Sequence, residues 1–246
     1  MDAPDTIKVL TGLPTFAGVN VNTLKKIASH CRPLSRRAGE NLFLEGDPCR
    51  GLYILAAGRV KCYRTSPEGR EQILKVLERP GEIFCTTAAF STGSHIVTAD
   101  AMTDISLHVI DVETMRRVAL EEPVVALALV STAGDQMRGL VGLADDLSLK
   151  TATTRVAKLL CERAREEGKR DGKDIRLLRD SLREDDIAAM VGTVRVHVSR
   201  SFKALAKMGA ITLTRDAIRI ADLEALERLA GGAESDDAQA RGERHR

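Results

Sequence analysis

The chain has 246 residues, 43% of them hydrophobic, and a formal net charge of +2 at pH 7. That hydrophobic share is enough to fill ordinary globular cores, which excludes a wholly disordered chain. The charge is unevenly spread, because residues 1–150 carry a net −1, residues 151–230 a net +4 and residues 231–246 a net −1. A positive surplus in the last third of the chain favours a polyanionic partner.

The five cysteines are widely spaced and include no C-x-x-C pair. Neither a structural zinc site nor a disulfide framework is therefore expected. No apolar run approaches the roughly 20 residues that span a bilayer, and residues 1–5 lack the basic and apolar segments of a leader peptide. The sequence thus predicts a cytoplasmic protein without a membrane partner.

Short helices are expected between residues 6 and 34, where apolar residues alternate with turn residues. From residue 40 to about 110, short apolar or alternating runs are separated by Gly, Pro and Asp. Such a texture is typical of a compact all-β roll or barrel. The predicted strands lie at residues 41–44, 51–55, 59–63, 72–77, 96–98 and 105–110.

A long helix is predicted from Pro123 to about Asp145, since proline suits the first turn of a helix. Apolar residues recur along it at alternating spacings of four and three, which is the seam of a two-helix coiled coil. The predicted dimer interface consists of Ala126, Val130, Ala133, Met137, Leu140 and Ala144. A helix packed on its own domain's core gives a similar pattern, so both interpretations stay open.

A second helix, over about residues 151–168, runs into a hydrophilic stretch at residues 165–174 that predicts a loop. Two further helices, 184–191 and 194–205, are predicted around a tight turn at Gly192. Their predicted shared core consists of Ile187, Val191, Val198, Phe202 and Leu205. A hairpin or wing follows at residues 209–220, and the tail from residue 231 has no apolar residues to bury and is expected to be disordered.

This pair of helices is the pattern of a helix-turn-helix, in which the N-terminal side chains of the second helix reach base edges in the major groove. Arg200 is predicted to read guanine, because a guanidinium donates two hydrogen bonds to guanine O6 and N7. Thr193, Ser199 and Lys203 are predicted to contact phosphates. The predicted DNA-binding residues are Thr193, Arg195, Val196, His197, Ser199, Arg200 and Lys203. The alternative is a solvated cationic face in another kind of helical domain.

The order of these parts resembles the cyclic-AMP receptor and fumarate-nitrate regulator family, or Crp-Fnr family, along nearly the whole chain. The resemblance is most specific at residues 52–61, 80–84, 146–151 and 191–200. It implies a homodimer that binds an inverted-repeat operator in double-stranded DNA, responds to a signal sensed in the roll and, as an activator, contacts RNA polymerase.

The fold implied is α+β. It comprises a cyclic-nucleotide-binding-like β-roll with N-terminal helices as the sensory domain (residues 1–120), a dimerisation helix (121–146), a winged helix-turn-helix (147–230) and the tail (231–246).

The effector pocket implied by the resemblance comprises Cys85, Thr86, Thr87, His95, Leu140 and Val141. Members that bind cyclic AMP carry a glutamate for the ribose and an arginine for the phosphate, where this chain has residues 85–87 and the region of His95. Their polar contacts to adenine fall here at Leu140 and Val141, which are apolar. Because a buried anion needs cationic and polar partners, cyclic AMP is not the expected effector.

Cys85 is the candidate for another signal, because residues 81–85 resemble the haem-ligating segment of carbon-monoxide-sensing members. Thr87 replaces the histidine that those members carry two residues further on, so a haem would need another ligand and the metal is left unassigned. An iron–sulfur cluster is not expected, since residues 1–30 contain no cysteine. Three interpretations stay open: a thiol sensor that combines Cys85 with Cys49 or Cys62, an apolar or organic-acid effector, and no effector.

The sequence contains no Gly-rich phosphate loop, no H-E-x-x-H motif and no G-x-S-x-G elbow, so an enzyme is not expected. The competing hypothesis is a cyclic-nucleotide-like regulatory module that acts through a protein partner rather than DNA. The missing phosphate arginine argues against the nucleotide, and the basic wing argues against the protein partner.

Overall fold

The computed structural model describes residues 7, 10–12, 16–179 and 182–231. Apart from Gly231, the predicted disordered tail lies outside these residues. The chain divides into two compact units, one made of residues 1–69 and 74–141 and the other of residues 70–73 and 142–246. The division falls between Val141 and Gly142, inside the long helix.

The N-terminal unit is a β-roll of two four-stranded sheets, with strand orders β1-β8-β3-β6 and β2-β7-β4-β5. The strands are β1 (Cys31–Arg36), β2 (Asn41–Phe43), β3 (Gly51–Ala57), β4 (Val60–Thr65), β5 (Glu71–Leu77), β6 (Ile83–Phe84), β7 (Thr98–Ala101) and β8 (Ile105–Asp111). A π-helical turn, Ala88–Thr92, separates β6 from β7. A roll or barrel in this region was predicted, and these antiparallel sheets confirm it.

Strand β3 shows how the sequence builds two cores in this unit. Leu52 and Ile54 point to one side, into a cluster with the helices, while Leu55 points to the other side, into the interior of the roll. Alternate side chains of a strand face opposite sides, so a strand apolar at every position is buried on both faces. Gly58 closes the turn to β4 with φ +89°, and a Cβ there would collide with the Asp104 carbonyl.

Helices α1 (Val21–Ser29) and α2 (Val112–Glu121) pack on the roll. Each begins at a side-chain cap, in which Asn20 accepts from the Thr23 amide and Asp111 accepts from the Thr114 amide. The expectation of helices as far as residue 34 is wrong at its end, because Cys31–Arg36 is a strand paired with β8. Strand β1 lies at the sheet edge, where Pro33 is tolerated.

The long helix α3 spans Pro123–Leu149. Val125 and Leu129 are buried in the helix-side core of the roll. Several of its other apolar side chains remain exposed, among them Leu127, Val130, Met137, Leu140 and Val141. The helix therefore packs on its own unit along one face and leaves a second apolar face uncovered in the single chain.

Helix α3 is long and apolar enough, by length and composition, to cross a membrane, with a mean hydropathy of 1.2 over its most apolar window. This differs from the sequence expectation of no membrane-spanning segment. That expectation rested on uninterrupted apolar runs, whereas α3 reaches this mean hydropathy with a few charged residues inside its apolar stretch. One such helix is weak evidence for a membrane span, and Asp135, Gln136 and Arg138 would lie in its middle.

The C-terminal unit combines helices with a four-stranded sheet of order β11-β12-β10-β9. Its elements are α4 (Ala152–Glu167), β9 (Lys169–Asp171), β10 (Asp174–Leu178), α5 (Glu184–Met190), α6 (Arg195–Lys207), β11 (Ile211–Leu213), β12 (Ala217–Ile220) and α7 (Leu223–Ala230). The predicted loop at residues 165–174 is wrong, since it holds the end of α4 and strand β9. All three β9 side chains are exposed, so the strand is held by backbone pairing and leaves no apolar signal.

Candidate nucleic-acid interface and sensory pocket

Helices α5 and α6 form a helix-turn-helix around Gly192. Ile187 on α5 and Val198, Phe202 and Leu205 on α6 are almost completely buried in one cluster. Gly192 has φ +65°, a conformation that side chains disfavour, and a Cβ there would also collide with Leu147. The turn therefore depends on glycine, which fixes where α6 begins.

The outer face of α6 carries most of the predicted DNA-binding residues. Their exposure varies along the helix: Arg195, Val196, His197, Arg200 and Lys203 are exposed, and Ser199 is half-buried. Thr193 is different, because it is buried before the first turn and its hydroxyl lies 3.2 Å from His197 Nδ1. The structure thus places Thr193 under the face as a support for His197.

Acidic residues on α5 pair with one of these side chains, Arg195, and with neither Arg200 nor Lys203. Arg195 lies 3.5 Å from a carboxylate oxygen of Glu184 and 3.8 Å from one of Asp185, and Arg179 donates to Glu184 at 3.0 Å. Arg200 and Lys203 form no ion pair with any residue that the structure describes. Their charges remain available for an anionic partner.

Arg155 on α4 ties the turn to the end of the long helix, and sequence reasoning missed it. Its Nε donates to the Val191 carbonyl at 2.6 Å and its Nη2 to the Gly192 carbonyl at 3.3 Å. Nη1 donates to the Lys150 carbonyl at 2.6 Å. A guanidinium presents several donors in a fixed plane, which suits this role, but a lone arginine in a helical pattern gives no sequence signal of it.

The wing is the β11–β12 hairpin with its turn at residues 214–216. Thr214 Oγ1 donates to Asp216 at 3.0 Å and accepts from the Ala217 amide at 3.0 Å, so the turn is well ordered. Arg176 pairs with Asp216, and Arg219 lies 2.9 Å from Asp171. Part of the basic charge counted in the sequence is therefore neutralised on the sheet.

The N-terminal unit contains a cavity of about 280 Å³. Four of the predicted pocket residues line it, namely Cys85, Thr87, His95 and Leu140. The other two do not, since Thr86 is buried behind the lining and Val141 is 56% exposed on α3. The further lining residues are Cys62, Leu74, Lys75, Leu77, Phe84, Ala88, Ile96, Val97, Asp135, Gln136 and Gly139.

Several polar groups that line the cavity are engaged with neighbours outside the lining. Lys75 Nζ lies 3.3 Å from Glu82, and Asp135 pairs with Arg138. Thr86 donates to Gln136 Oε1 at 3.0 Å, and Gln136 Nε2 donates to the Ile83 carbonyl at 3.2 Å. These contacts anchor α3 to the segment around Cys85, a link that Gln136 forms and that sequence reasoning missed.

Two features distinguish the residues around Cys85. Cys85 has φ +69°, the one positive φ among the described residues other than glycine. His95 stacks on Phe43 with ring centroids 3.6 Å apart, and burial lowers its pKa from the usual 6.5. Within the described ranges, no group of three or more His, Cys, Asp or Glu side chains is placed to hold a metal ion.

Two family models match the chain. A cyclic nucleotide-binding domain matches residues 33–122, and a Crp-like helix-turn-helix domain matches residues 154–229. The nitrogen fixation regulation protein FixK of Rhizobium meliloti is 31% identical over 196 residues, which cover 78% of this chain and 84% of that protein. The chain belongs to the Crp-Fnr family.

Other relatives in the Crp-Fnr family match along nearly their whole length. The CRP-like cAMP-activated global transcriptional regulator of Mycobacterium tuberculosis is 28% identical over 223 residues, 91% of this chain and 99% of that protein. The structure of FixK2 from Bradyrhizobium japonicum superposes with a TM-score of 0.69 at 25% identity, covering 81% of this chain and 96% of that one. This Crp-Fnr protein is a DNA-binding transcription regulator and not an enzyme, as predicted.

A cyclic nucleotide is the ligand that the first family model suggests, and the cavity offers a poor set of partners for it. No arginine is among the lining residues, and the one lysine, Lys75, forms an ion pair with Glu82. The Thr86 hydroxyl is committed to Gln136. An anionic phosphate buried here would lack the charge-assisted hydrogen bonds that offset its desolvation, so the residues present do not fit the nucleotide.

Proposed function

We propose that the protein is a cytoplasmic, homodimeric regulator that binds an inverted-repeat operator and whose operator affinity is controlled by a signal in the β-roll other than cyclic AMP. As an activator it would also contact RNA polymerase. The observation that carries the proposal is the exposed cationic face of α6, held on a buried core next to a glycine turn.

Recognition of the DNA sequence is assigned to residues along this exposed face of α6. Arg200 is exposed and free of acidic partners among the described residues, so its two parallel N–H donors are available for guanine. Val196 is 58% exposed and suits contact with a thymine methyl group. Lys203 and the half-buried Ser199 supply phosphate contacts, which fix the register of the helix on the duplex.

Dimerisation is assigned to the uncovered face of α3. Of the predicted seam, Val130 and Met137 are each 68% exposed and Leu140 is 48% exposed. Ala126 and Ala133 are half-buried and Ala144 is exposed, so small residues alternate with large ones, as in close helix packing. Pairing of two copies along this face would present two copies of α6 to successive major grooves.

Selection of duplexes from a random-sequence pool, followed by sequencing, tests this proposal. The full-length protein is expected to enrich an inverted repeat whose half-sites are about one helical turn apart. Met137→Glu should abolish both the dimer in sedimentation velocity and the enrichment, because it places a charge in the seam. Leu120→Glu is the matched control, since Leu120 is 85% exposed but lies on α2, away from the seam.

Two results would contradict the proposal. One is a wild-type protein that sediments as a monomer and enriches no sequence. The other is capture of a protein partner through the C-terminal unit with no preference among duplexes, which would favour the regulatory-module hypothesis.

A further inference from the structure

Thr193 and His197 form a hydrogen-bonded pair at the start of α6, the helix that carries the exposed cationic face. The Thr193 hydroxyl lies 3.2 Å from Nδ1 of His197, which is four residues further along the chain. Thr193 is 9% exposed, and its amide donates to the Ala188 carbonyl on α5 at 2.9 Å. His197 is exposed. The pair therefore joins a buried hydroxyl, fixed to α5 through its backbone, to an imidazole on the surface.

The Thr193 side chain does not cap the helix. A threonine at the start of a helix commonly accepts a hydrogen bond from a free amide of the first turn. Here Val194 is the N-cap residue, and no side-chain hydrogen bond caps α6. Among the described residues, His197 is the one hydrogen-bond partner of the Thr193 hydroxyl. The hydroxyl therefore acts on the imidazole and not on the backbone of α6.

We propose that Thr193 is a positioning residue that holds His197 with its Nε2–H directed outward, and that this N–H donates to a phosphate of the DNA backbone. This inference rests on the proposed function, because the partner is double-stranded DNA. It transfers to His197 the phosphate contact that the sequence motif assigned to Thr193, which is buried.

The hydroxyl hydrogen of Thr193 determines which ring nitrogen of His197 carries the proton. A buried hydroxyl needs an acceptor for its hydrogen, because a hydrogen bond left unmade away from water costs free energy. Nδ1 of His197 is the acceptor that the described residues offer. A ring nitrogen accepts only when it carries no proton, so the proton of the uncharged ring lies on Nε2. Nε2 has no hydrogen-bond partner among the described residues and stays available for DNA.

The position of His197 around the axis of α6 favours a phosphate over a base. Val196 and Arg200 lie in the middle of the exposed face, on the side opposite the buried Val198 and Phe202. At 3.6 residues per turn, His197 is rotated by about 60° from Arg200, towards one edge of that face. When a helix lies in the major groove, the middle of its exposed face points at the bases and its edges face the sugar–phosphate walls.

Holding the imidazole in place before DNA binds should increase affinity. A surface side chain loses rotamer freedom when it is immobilised at an interface, and this loss reduces the affinity. The hydrogen bond to Thr193 orders His197 in the free protein, so less freedom is lost on binding. Removing the hydroxyl should therefore weaken binding even though the imidazole remains. Because phosphates are the same in every sequence, the preference for the operator should not change.

A double-mutant cycle on the full-length protein, with fluorescence titrations of the selected operator and of a random duplex, tests this role. His197→Ala is expected to weaken binding to both duplexes by about tenfold. Thr193→Val should weaken both by about threefold, and Thr193→Ser should restore the wild-type affinity. In a His197→Gln background, Thr193→Val should cause no further loss. His30→Gln is the matched control and should change neither affinity, since His30 is also exposed and its Nδ1 lies 2.8 Å from a backbone carbonyl, but in the N-terminal unit.

Nitrogen-15 NMR of the histidine-labelled protein without DNA reads the tautomer independently of the proposed function. The His197 signals, identified by their loss in His197→Gln, should show the proton on Nε2. A proton on Nδ1 of the uncharged ring, or an equal loss from Thr193→Val in both backgrounds, would overturn the positioning role. A His197→Ala variant that binds as the wild type does, or that loses affinity for the operator alone, would overturn the phosphate contact. A protein with the Nε2–H tautomer that prefers no duplex would contradict the proposed function and leave the Thr193–His197 pair supported.

Discussion

The helix-turn-helix and the cavity of the roll differ in how exposed and how engaged their charged groups are. On α6 the cationic side chains Arg200 and Lys203 are exposed and free of acidic partners among the described residues. In the cavity the charged groups Lys75 and Asp135 are engaged with neighbouring side chains, and apolar residues dominate the lining.

This difference reflects two kinds of ligand. DNA is the same polyanion for every regulator, so its binding face keeps a pattern of exposed cations on a glycine turn that can be read from sequence. The cavity of the roll has no comparable pattern of exposed charges, since apolar residues dominate its lining, so its ligand cannot be read from the sequence in the same way. The predictions below test this contrast between the helix-turn-helix, which is the output region, and the roll with its cavity, which is the proposed input region.

Replacing the core of the output region should have the largest effect. Phe202→Ala is expected to destabilise the C-terminal unit by about 3–5 kcal/mol, because it removes a 1%-exposed aromatic side chain and leaves a cavity. Hydrogen–deuterium exchange over residues 152–230 measures the loss. Val196→Ala, on the exposed face of the same helix, should leave exchange unchanged; equal protection in the two variants would show that α6 is not packed as described.

Removal of the Arg155 guanidinium should have the next largest effect. Arg155→Met is expected to cost about 2–3 kcal/mol, since the carbonyls of Lys150, Val191 and Gly192 lose a charged donor in a half-buried site. Urea denaturation followed by circular dichroism measures the change. Arg165→Met on the same helix is the control, because its ion pair with Glu227 is exposed; a loss no larger than that of the control would refute the role of Arg155.

Variants on the exposed face of α6 should distinguish the residue that recognises bases from the residue that contacts phosphates. Arg200→Ala is expected to reduce discrimination between the operator and single-base variants by about 1–3 kcal/mol, because the proposed guanine contact would be lost. Lys203→Ala should weaken binding to all duplexes alike and lower the slope of the logarithm of affinity against the logarithm of salt by about one. Fluorescence titrations measure both quantities, and the same loss pattern in the two variants would overturn the assignment.

The input region should show the smallest effect, through His95. Burial lowers the pKa of His95 in the folded state, so the unfolded chain binds more protons just below the usual pKa of 6.5. Stability should therefore be full above about pH 6.5 and fall as the pH drops towards 5. Urea midpoints between pH 5 and 8 measure this, and His95→Gln should reduce the acid loss. A variant that follows the wild-type curve would assign the loss to another buried group, such as His108.

Much of the fold was predictable from sequence because its signals are local. Short apolar or alternating runs marked β3 and β8, Pro123 marked the start of α3, and Gly192 marked the turn. Strands β1, β6, β9 and β10 were missed. Strands β1 and β9 are held by backbone pairing with β8 and β10 and expose much of their side-chain surface.

The site was less predictable, because several of its contacts join residues far apart in the chain. Nothing near Gln136 indicates that it accepts from Thr86, and nothing near Arg155 indicates that it donates to Val191 and Gly192. Thr193 was placed on the DNA-facing surface from its position in the motif, whereas its burial depends on how α5 and α6 pack.

Titration of the wild-type protein with its selected operator and with random duplex, over a series of salt concentrations, tests the central claim most directly. The proposed dimer, which would present the cationic face of α6 twice, predicts that the logarithm of affinity falls steeply and linearly with the logarithm of salt, while the operator stays preferred at every concentration. Equal, shallow binding to both duplexes would contradict it.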